Sequence, residues 1–356
     1  MRRIRLIDLG DVPPVRSQTC YHAAAYMLGE DSPDTIILVS PARPYVCVGY
    51  HQDLEKEVDR DFCRTRGLPI YRREVGGGAV YLDSDQLFSQ WIFHPASLPS
   101  DVGERYRLYI EPLVKAYRDL GIPAEHRPVN DVHVKGKKIG GTGAALIGGA
   151  EVLVGSFMFD FDKSTMARVL KVSSEKMRDK VFQGLQDYMT TIQDELGRRP
   201  ERRQVVDLYV RRCSEALDAE IVPGAWTPAE EAKAVELDRL FGSPEWLDQK
   251  GSFLRPGIRI HEDVRVHESA LKAPGGLIRV TVRIKEDRID DLSISGDFTI
   301  LPRAAVAEVE EAARGIQADP RVFLEIVRAR YDGSSVQSPG LTPEHWAEAL
   351  AAALVS

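Results

Sequence analysis

Cysteine is scarce in this chain, with four among 356 residues. Cys20, Cys47, Cys63 and Cys213 lie far apart, without a CxxC or other metal-ligand spacing, so neither a disulfide framework nor a structural zinc site is expected. Long apolar runs are missing too. None approaches the roughly 18 residues that a membrane span needs. The opening "MRRIRLIDLG" holds only a strand-length apolar stretch broken by Asp8, unlike a signal peptide. These absences lead us to expect a reduced, cytoplasmic setting with no membrane association. A basic excess is also lacking: 47 Lys and Arg face 54 Asp and Glu, a net charge of −7. That speaks against a nucleic-acid partner. There is no internal repeat and no low-complexity tract.

What remains is an ordinary globular composition, 43% hydrophobic and 28% charged, in a chain long enough for two domains. Short β-type runs dominate the first half: "IRLIDL", "TIILVS", "YVCVGY", "GLPIYRR", "LFSQWIFH" and "EVLVGSFMFDFD". Between them, Tyr106, Tyr109, Ile110, Leu113, Val114, Tyr117 and Leu120 recur at helical spacing, and Gly121 follows as a stop. Pro112 falls inside that pattern and predicts a kink or a restart. Residues 163 to 242 are helical and heavily charged, and Thr227, Pro228 and Glu230 form a capping box. The expected fold class is α+β, a mixed or antiparallel sheet flanked by helices.

The stretch "FGSPEWLDQKGSFLRPG" reads as a linker. Beyond it Ile278, Val280, Val282 and Ile284 alternate with polar residues, "KEDR" turns, and Ile289, Leu292 and Ile294 return, as in a hairpin with one buried face. Helices should begin near Arg303, Asp319-Pro320 and Thr342-Pro343. The expected division is a catalytic domain over residues 1–245, a linker over 246–258 with a hinge between Gly251 and Gly257, and a small α+β accessory domain over 259–356.

Two segments set bare backbone beside positive charge. In "RREVGGGAVYLD", Gly76, Gly77 and Gly78 follow Arg72 and Arg73. Glycines there admit positive φ and close approach of a ligand, and their N–H groups can form an anion-holding nest flanked by guanidinium groups. A solvated hairpin turn is the alternative. The segment is neither a P-loop nor a dinucleotide fingerprint. In "NDVHVKGKKIGG", Lys138 stands before Ile139, Gly140 and Gly141. A lysine so placed offers a fixed positive charge where negative charge grows during phosphoryl or acyl transfer. Lys135 and Lys137 read as an ordinary basic turn. Asn130 and Asp131 form either a plain turn or a pair helping to hold magnesium near phosphates.

Taken in order and spacing, "VCVGYHQDLEKEVD", "RREVGGGAVYLD", "NDVHVKGKKIGG", "VGSFMFDFD" and "VSSEKMRDK" resemble the lipoate–protein ligase family, which is related in fold to the biotin–protein ligases. The C-terminal stretch resembles the accessory domain of the longer members. The resemblance implies the biotin/lipoate ligase fold and the substrates lipoate or octanoate, ATP with Mg2+, and a lysine of a lipoyl-carrier domain. It implies an acyl-AMP intermediate, with Lys138 as the catalytic charge. Gly49, Arg72, Arg73, Gly76, Gly77, Gly78, Ala79, Gly140 and Gly155 would line the acyl-adenylate, with Asn130 and Asp131 near nucleotide and metal. Leu82 and Val154 stand where the family often has histidine, and Asp85-Gln86 replaces its usual Gly-Asn. Three alternatives remain beside this reading. One is an ATP-independent octanoyl or lipoyl transferase of the same fold, working through a cysteine thioester. Another is a non-catalytic lipoyl-domain binder, and the third a biotin ligase, whose glycine–arginine motif is missing.

Overall fold

The computed structural model describes residues 2–249, 264–333 and 336–355. They group into two compact units, and the division is discontinuous. The first unit comprises Met1–Cys47, Val58–Arg73 and Val80–Leu247; the second comprises Val48–Glu57, Glu74–Ala79 and Asp248–Ser356. From residue 250 onward the expected linker, with the hinge between Gly251 and Gly257, lies outside the described residues. Its front end does not behave as a linker. Pro244–Leu247 is a short helix, Trp246 stacks on Phe241 at 4.7 Å, and its indole N–H donates to the Arg72 carbonyl at 2.8 Å. A tryptophan satisfied on both its apolar face and its polar edge fixes this turn to the first unit.

The first unit contains strands β1 (Arg2–Val12), β2 (Thr35–Pro41), β3 (Tyr45–Val48), β4 (Ile70–Arg72), β5 (Val80–Leu82), β6 (Gln86–Phe93), β7 (Ala124–Arg127), β8 (Asp131–Val134), β9 (Lys137–Ile147), β10 (Ala150–Met158) and β11 (Ala219–Pro223). Eight of them form one sheet in the order β11-β1-β2-β6-β10-β9-β8-β7, and β4-β3-β5 form a second. β1 runs parallel to β11 and β2, and the remaining pairs of the large sheet are antiparallel, so the sheet is mixed as expected. β2 and β6, in its interior, are buried along their whole length. Burial of every position is why neither alternates in polarity: β2 runs apolar from Ile36 to Val39, and β6 buries Gln86, Ser89 and Gln90 among its apolar residues.

The helix Val102–Asp119 is capped by the Asp101 side chain and buries all the apolar positions whose spacing announced it. Pro112 lies within this one helix, on its buried face, and starts no second one. The helix packs on Arg202–Leu217 and against β7, β9 and β10, and so backs the strands that carry the site below. Thr227 and Glu230 make both bonds of their capping box, and Glu230 also pairs with Arg5 of β1.

In the second unit β12 (Val264–Ala273), β13 (Gly276–Lys285) and β14 (Arg288–Gly296) form an antiparallel sheet. The turn is Glu286-Asp287, both at positive φ (50° and 57°), as a two-residue hairpin turn requires. Arg283 pairs with Asp291 and Ile284 with Ile289, which leaves Asp290 as an extra residue. That bulge explains why the apolar spacing widens from two to three between Ile289 and Leu292. β12 gave no sequence signal because it is an edge strand on which Ala273 alone is buried among its described side chains. Helices Ala305–Ala312, Pro320–Gly333 and Pro343–Leu354 complete a core around Ile278, Val280, Phe298, Phe323 and Trp346. Among the described residues no helix is long and apolar enough to cross a membrane.

Candidate active site

β8 and β9 form a hairpin closed by Lys135 and Gly136, at φ 50° and 83°. The pairing runs Val134 with Lys137, His133 with Lys138, Val132 with Gly140 and Asp131 with Gly141, which leaves Ile139 as one extra residue. Without this bulge Lys138 would lie opposite Val134, on the other face of the hairpin. With it, Lys138 shares a face with Asp131 and His133. The Lys138 ammonium sits 2.7 Å from Asp131 Oδ1 and the side chain is 28% exposed, so it is held without being buried. Gly141 leaves room for it: a Cβ there would lie 3.0 Å from Nζ. The Lys138 carbonyl accepts the Thr190 N–H at 2.9 Å, fixing the backbone from the other side.

Tyr188 ends the helix Glu175–Tyr188 and donates its hydroxyl to Asp131 Oδ2 at 3.3 Å. Burial, and then the Asp131 charge, push its phenol pKa up, so it stays a donor. His133 Nε2 lies 3.7 Å from the same oxygen. Lys135 is 74% exposed and pairs with Glu195, and Lys137 reaches the Gln186 carbonyl at 3.3 Å; both belong to the turn rather than to the Asp131 face.

Asn130 is committed to architecture. Its side-chain amide donates to the Thr142 carbonyl, and its own carbonyl accepts from the Thr142 N–H and hydroxyl, each at 2.9 Å. With Asn130 engaged there and Asp131 on Lys138 and Tyr188, the pair does not fit a resident magnesium site. Among the described residues no three His, Cys, Asp or Glu side chains gather to hold a metal. Gly140 and Gly155 answer to packing: a Cβ on the first would meet Ser156 O at 3.3 Å, and one on the second Thr142 and Tyr109 at 3.1 Å. Arg72 is wholly buried, with Nε on the Leu247 carbonyl at 2.9 Å, and Arg73 reaches the Cys47 carbonyl at 3.3 Å.

The other glycines belong to the second unit. Gln52 Oε1 accepts the Gly49 N–H at 3.0 Å, which accounts for the Gly-x-x-Gln spacing. A Cβ on Gly49 would fall 1.9 Å from the Gly77 carbonyl oxygen, and one on Gly76 would fall 2.5 Å from that of Phe298. Gly77 has φ +94°, and its N–H donates to Phe298 O at 3.4 Å. Glu74 is ion-paired with Arg303, whose guanidinium lies 4.9 Å over the Tyr50 ring, and His51 stacks on Phe298 at 5.1 Å. Gly78 differs: a Cβ there would find ordinary contact at 3.7 Å. Ala79 is half-buried. Just beyond, Asp83 has its carboxyl pushed up to about 6, by burial first and then by Asp85 and Asp162, although it accepts the Asp85 N–H.

All four cysteines are buried. Burial raises the Cys20 thiol to about 12 and Cys63 to about 11, and lifts Cys47 and Cys213 as well. Sequence reasoning singled out Lys138, Asp131 and the glycines. It missed His133, Tyr188 and the use of Arg303, although the "KG" turn with strand alternation could have placed His133 beside Asp131.

The chain matches the lipoyl protein ligase A/B catalytic domain over residues 21–214, more than half its length. An octanoyltransferase LipM from Kyrpidia tusciae is 28% identical over 241 residues, covering 61% of this chain and 88% of that protein. A solved chain from the bi-partite lipoate protein ligase system of Thermoplasma acidophilum, described with its E2 lipoyl domain, has a TM-score of 0.65 at 27% identity and covers 73% of this chain and 100% of that one. A lipoate-protein ligase A solved with bound ATP has a TM-score of 0.60 at 25% identity, covering 70% of this chain and 99% of that one. With the family's catalytic domain matched and the mixed sheet shared with its ligases, the chain belongs to the lipoyl protein ligase A/B family of enzymes.

Proposed function

We propose that this protein is an ATP-dependent ligase that attaches lipoate or octanoate to a lysine of a lipoyl-carrier domain through an acyl-AMP intermediate. The observation that carries the choice of ligase over transferase is the state of the thiols. A cysteine relay needs an accessible thiolate, and all four cysteines are buried with their thiols held in the neutral form. Lys138 offers a partly exposed side chain whose ammonium is fixed by Asp131, as both half-reactions require.

In the first half-reaction a carboxylate oxygen of the fatty acid bonds to the α-phosphorus of ATP, and the bond to the β-phosphate oxygen breaks to release pyrophosphate. Lys138 stabilises the charge that grows on the α-phosphate oxygens. In the second, the amine of the carrier lysine attacks the acyl carbonyl carbon. The carbon–oxygen bond to AMP breaks, AMP leaves with the electron pair, and the amine's surplus protons pass to solvent. Lys138 polarises that carbonyl. Magnesium belongs in this reading as an ion carried by the nucleotide phosphates. For Gly49, Gly76, Gly77, Gly78 and Ala79 the proposal retains backbone contact with the acyl-adenylate, and Gly78, where a Cβ is free of clashes, is the position that tests it.

The ATP-bound ligase relative and the E2 lipoyl domain described with the Thermoplasma ligase support this choice of nucleotide and partner. The octanoyltransferase relative favours the second reading, transfer from an octanoylated carrier without ATP. Purified protein is given ATP, lipoate and a lipoyl-carrier domain after native treatment with iodoacetamide, and pyrophosphate and intact carrier mass are followed. We expect pyrophosphate release, carrier acylation and no sensitivity to the alkylating agent. Acylation from octanoyl carrier alone, abolished by iodoacetamide, would establish the transferase instead.

A further inference from the structure

We infer that His133 is a positioning residue for the Lys138 ammonium, acting through the Asp131 carboxylate; this rests on the role proposed above for Lys138. His133 is 1% exposed, and among the described residues neither ring nitrogen has a hydrogen-bond partner. A buried imidazole left this way is unfavourable and calls for a reason. The edge-on Tyr188 ring lies 5.6 Å away and helps to shield it.

The acceptor beside it is Asp131 Oδ2, 3.7 Å from Nε2 and just beyond hydrogen-bond reach. That carboxylate is bound unevenly. Oδ1 takes the Lys138 ammonium at 2.7 Å, whereas the hydrogen bond to Oδ2, from Tyr188, is long at 3.3 Å. The Ile139 bulge that turns Lys138 to this face also sets His133 directly across from it. When a negative ligand draws the ammonium outward, the pull on Oδ1 slackens and the carboxylate is free to pivot. A shift of less than about 1 Å brings Oδ2 within range of the His133 Nε2–H. The imidazole then becomes the stop that keeps Asp131, and through it Lys138, in one orientation. An apolar residue of similar size would fill the space but supply no stop.

The test compares His133→Leu, which removes the donor, with His133→Gln, whose terminal amide restores one near the Nε2 position. Carrier acylation is measured with ATP and lipoate, beside thermal melting of each variant. His133→Leu should lose about tenfold in kcat, with KM for ATP and lipoate within about twofold, because orientation rather than binding is impaired. His133→Gln should recover at least half of the wild-type kcat. A His133→Leu enzyme at wild-type kcat, or a His133→Gln enzyme as slow as His133→Leu, would overturn the inference. If the wild type acylates only from octanoyl carrier without ATP, the ligase reading fails, and the same variants are compared in that transfer, where an acyl carbonyl still faces Lys138. Should His133→Leu not fold, nitrogen NMR of wild-type His133 with a non-hydrolysable lipoyl-adenylate analogue decides. A new hydrogen-bonded Nε2 proton supports the inference, and an unchanged ring signal refutes it.

Discussion

Two segments set glycine beside positive charge, and the structure uses the glycines differently in each. At Lys138-Ile139-Gly140-Gly141, the second glycine makes room for the end of a charged side chain: the missing Cβ is where the ammonium passes, 3.0 Å away. At Gly49 and Gly76 the crowding comes from the chain's own backbone. Gly49 meets the Gly77 carbonyl and Gly76 the Phe298 carbonyl, at distances no Cβ tolerates. The cationic side chains beside them diverge in the same way. Arg72 is spent on the Leu247 carbonyl, while Lys138 keeps part of its surface open. A flexible neighbour yields to a new methyl group and a carbonyl does not, so equal glycines should fail in unequal ways.

The largest expected effect is at the charge itself. Lys138→Ala should lose about a hundred- to thousandfold in kcat, the usual cost of removing one electrostatic stabiliser, while melting and circular dichroism stay near wild type. A folded Lys138→Ala enzyme acylating the carrier at the wild-type rate would end the catalytic assignment.

Next in size is Gly49→Ala. Its Cβ would sit 1.9 Å from a carbonyl oxygen, and overpacking of this kind costs about 1–3 kcal/mol. Chemical denaturation should show that loss, with Gly76→Ala following at 2.5 Å and Gly78→Ala close to wild type. The order tests the comparison directly. If Gly78→Ala melts normally but cannot form pyrophosphate, the triplet faces a ligand as well as its own chain. If all three variants are equally stable, backbone crowding is not what keeps these positions glycine.

Gly141→Ala should show the converse at a smaller scale. The atom displaced is the end of a lysine side chain, which moves cheaply, so the melting temperature should hold while kcat falls about tenfold as the ammonium is misplaced. A loss of stability without a change in kcat would place Gly141 in the backbone class with Gly49.

Much of this was legible in the sequence, for physical reasons that differ by element. β2 is legible because its interior run Ile36–Val39 is apolar throughout, β6 because apolar pairs flank its buried Ser89 and Gln90, and the helix Val102–Asp119 because one face is buried. The edge strand β12 buries almost nothing and left no pattern. Residue type beside two glycines makes Lys138 a candidate and the family resemblance implies its role, whereas its alignment with Asp131 and His133 depends on a one-residue bulge at Ile139 that no periodicity reports. The discontinuous make-up of the second unit is illegible for a related cause. The contacts from Arg303 to Glu74, from Gly296 to the His51 carbonyl and from Lys56 to Glu268 join residues more than 200 positions apart. Composition along the chain carries no trace of such pairing, so Val48–Glu57 and Glu74–Ala79 were counted with their sequence neighbours.

The smallest expected effect lies where the glycine segment ends. Asp83 has its carboxyl raised to about 6, chiefly by burial, against an ordinary value near 3.9. The folded protein therefore holds this proton more tightly than the unfolded chain, and the contribution to stability falls as pH rises from about 4 to 6. At pH 7.5 the group is charged in a site that favours the neutral form. Asp83→Asn keeps the carbonyl that accepts the Asp85 N–H and never ionises. Its melting temperature should exceed wild type by about 2–4 °C at pH 7.5 and match it at pH 4, a modest gain because the carboxyl is only partly buried. An equal difference at both pH values would trace the change to packing, and would remove burial of charge as the distinction between this end of the segment and the partly exposed Lys138.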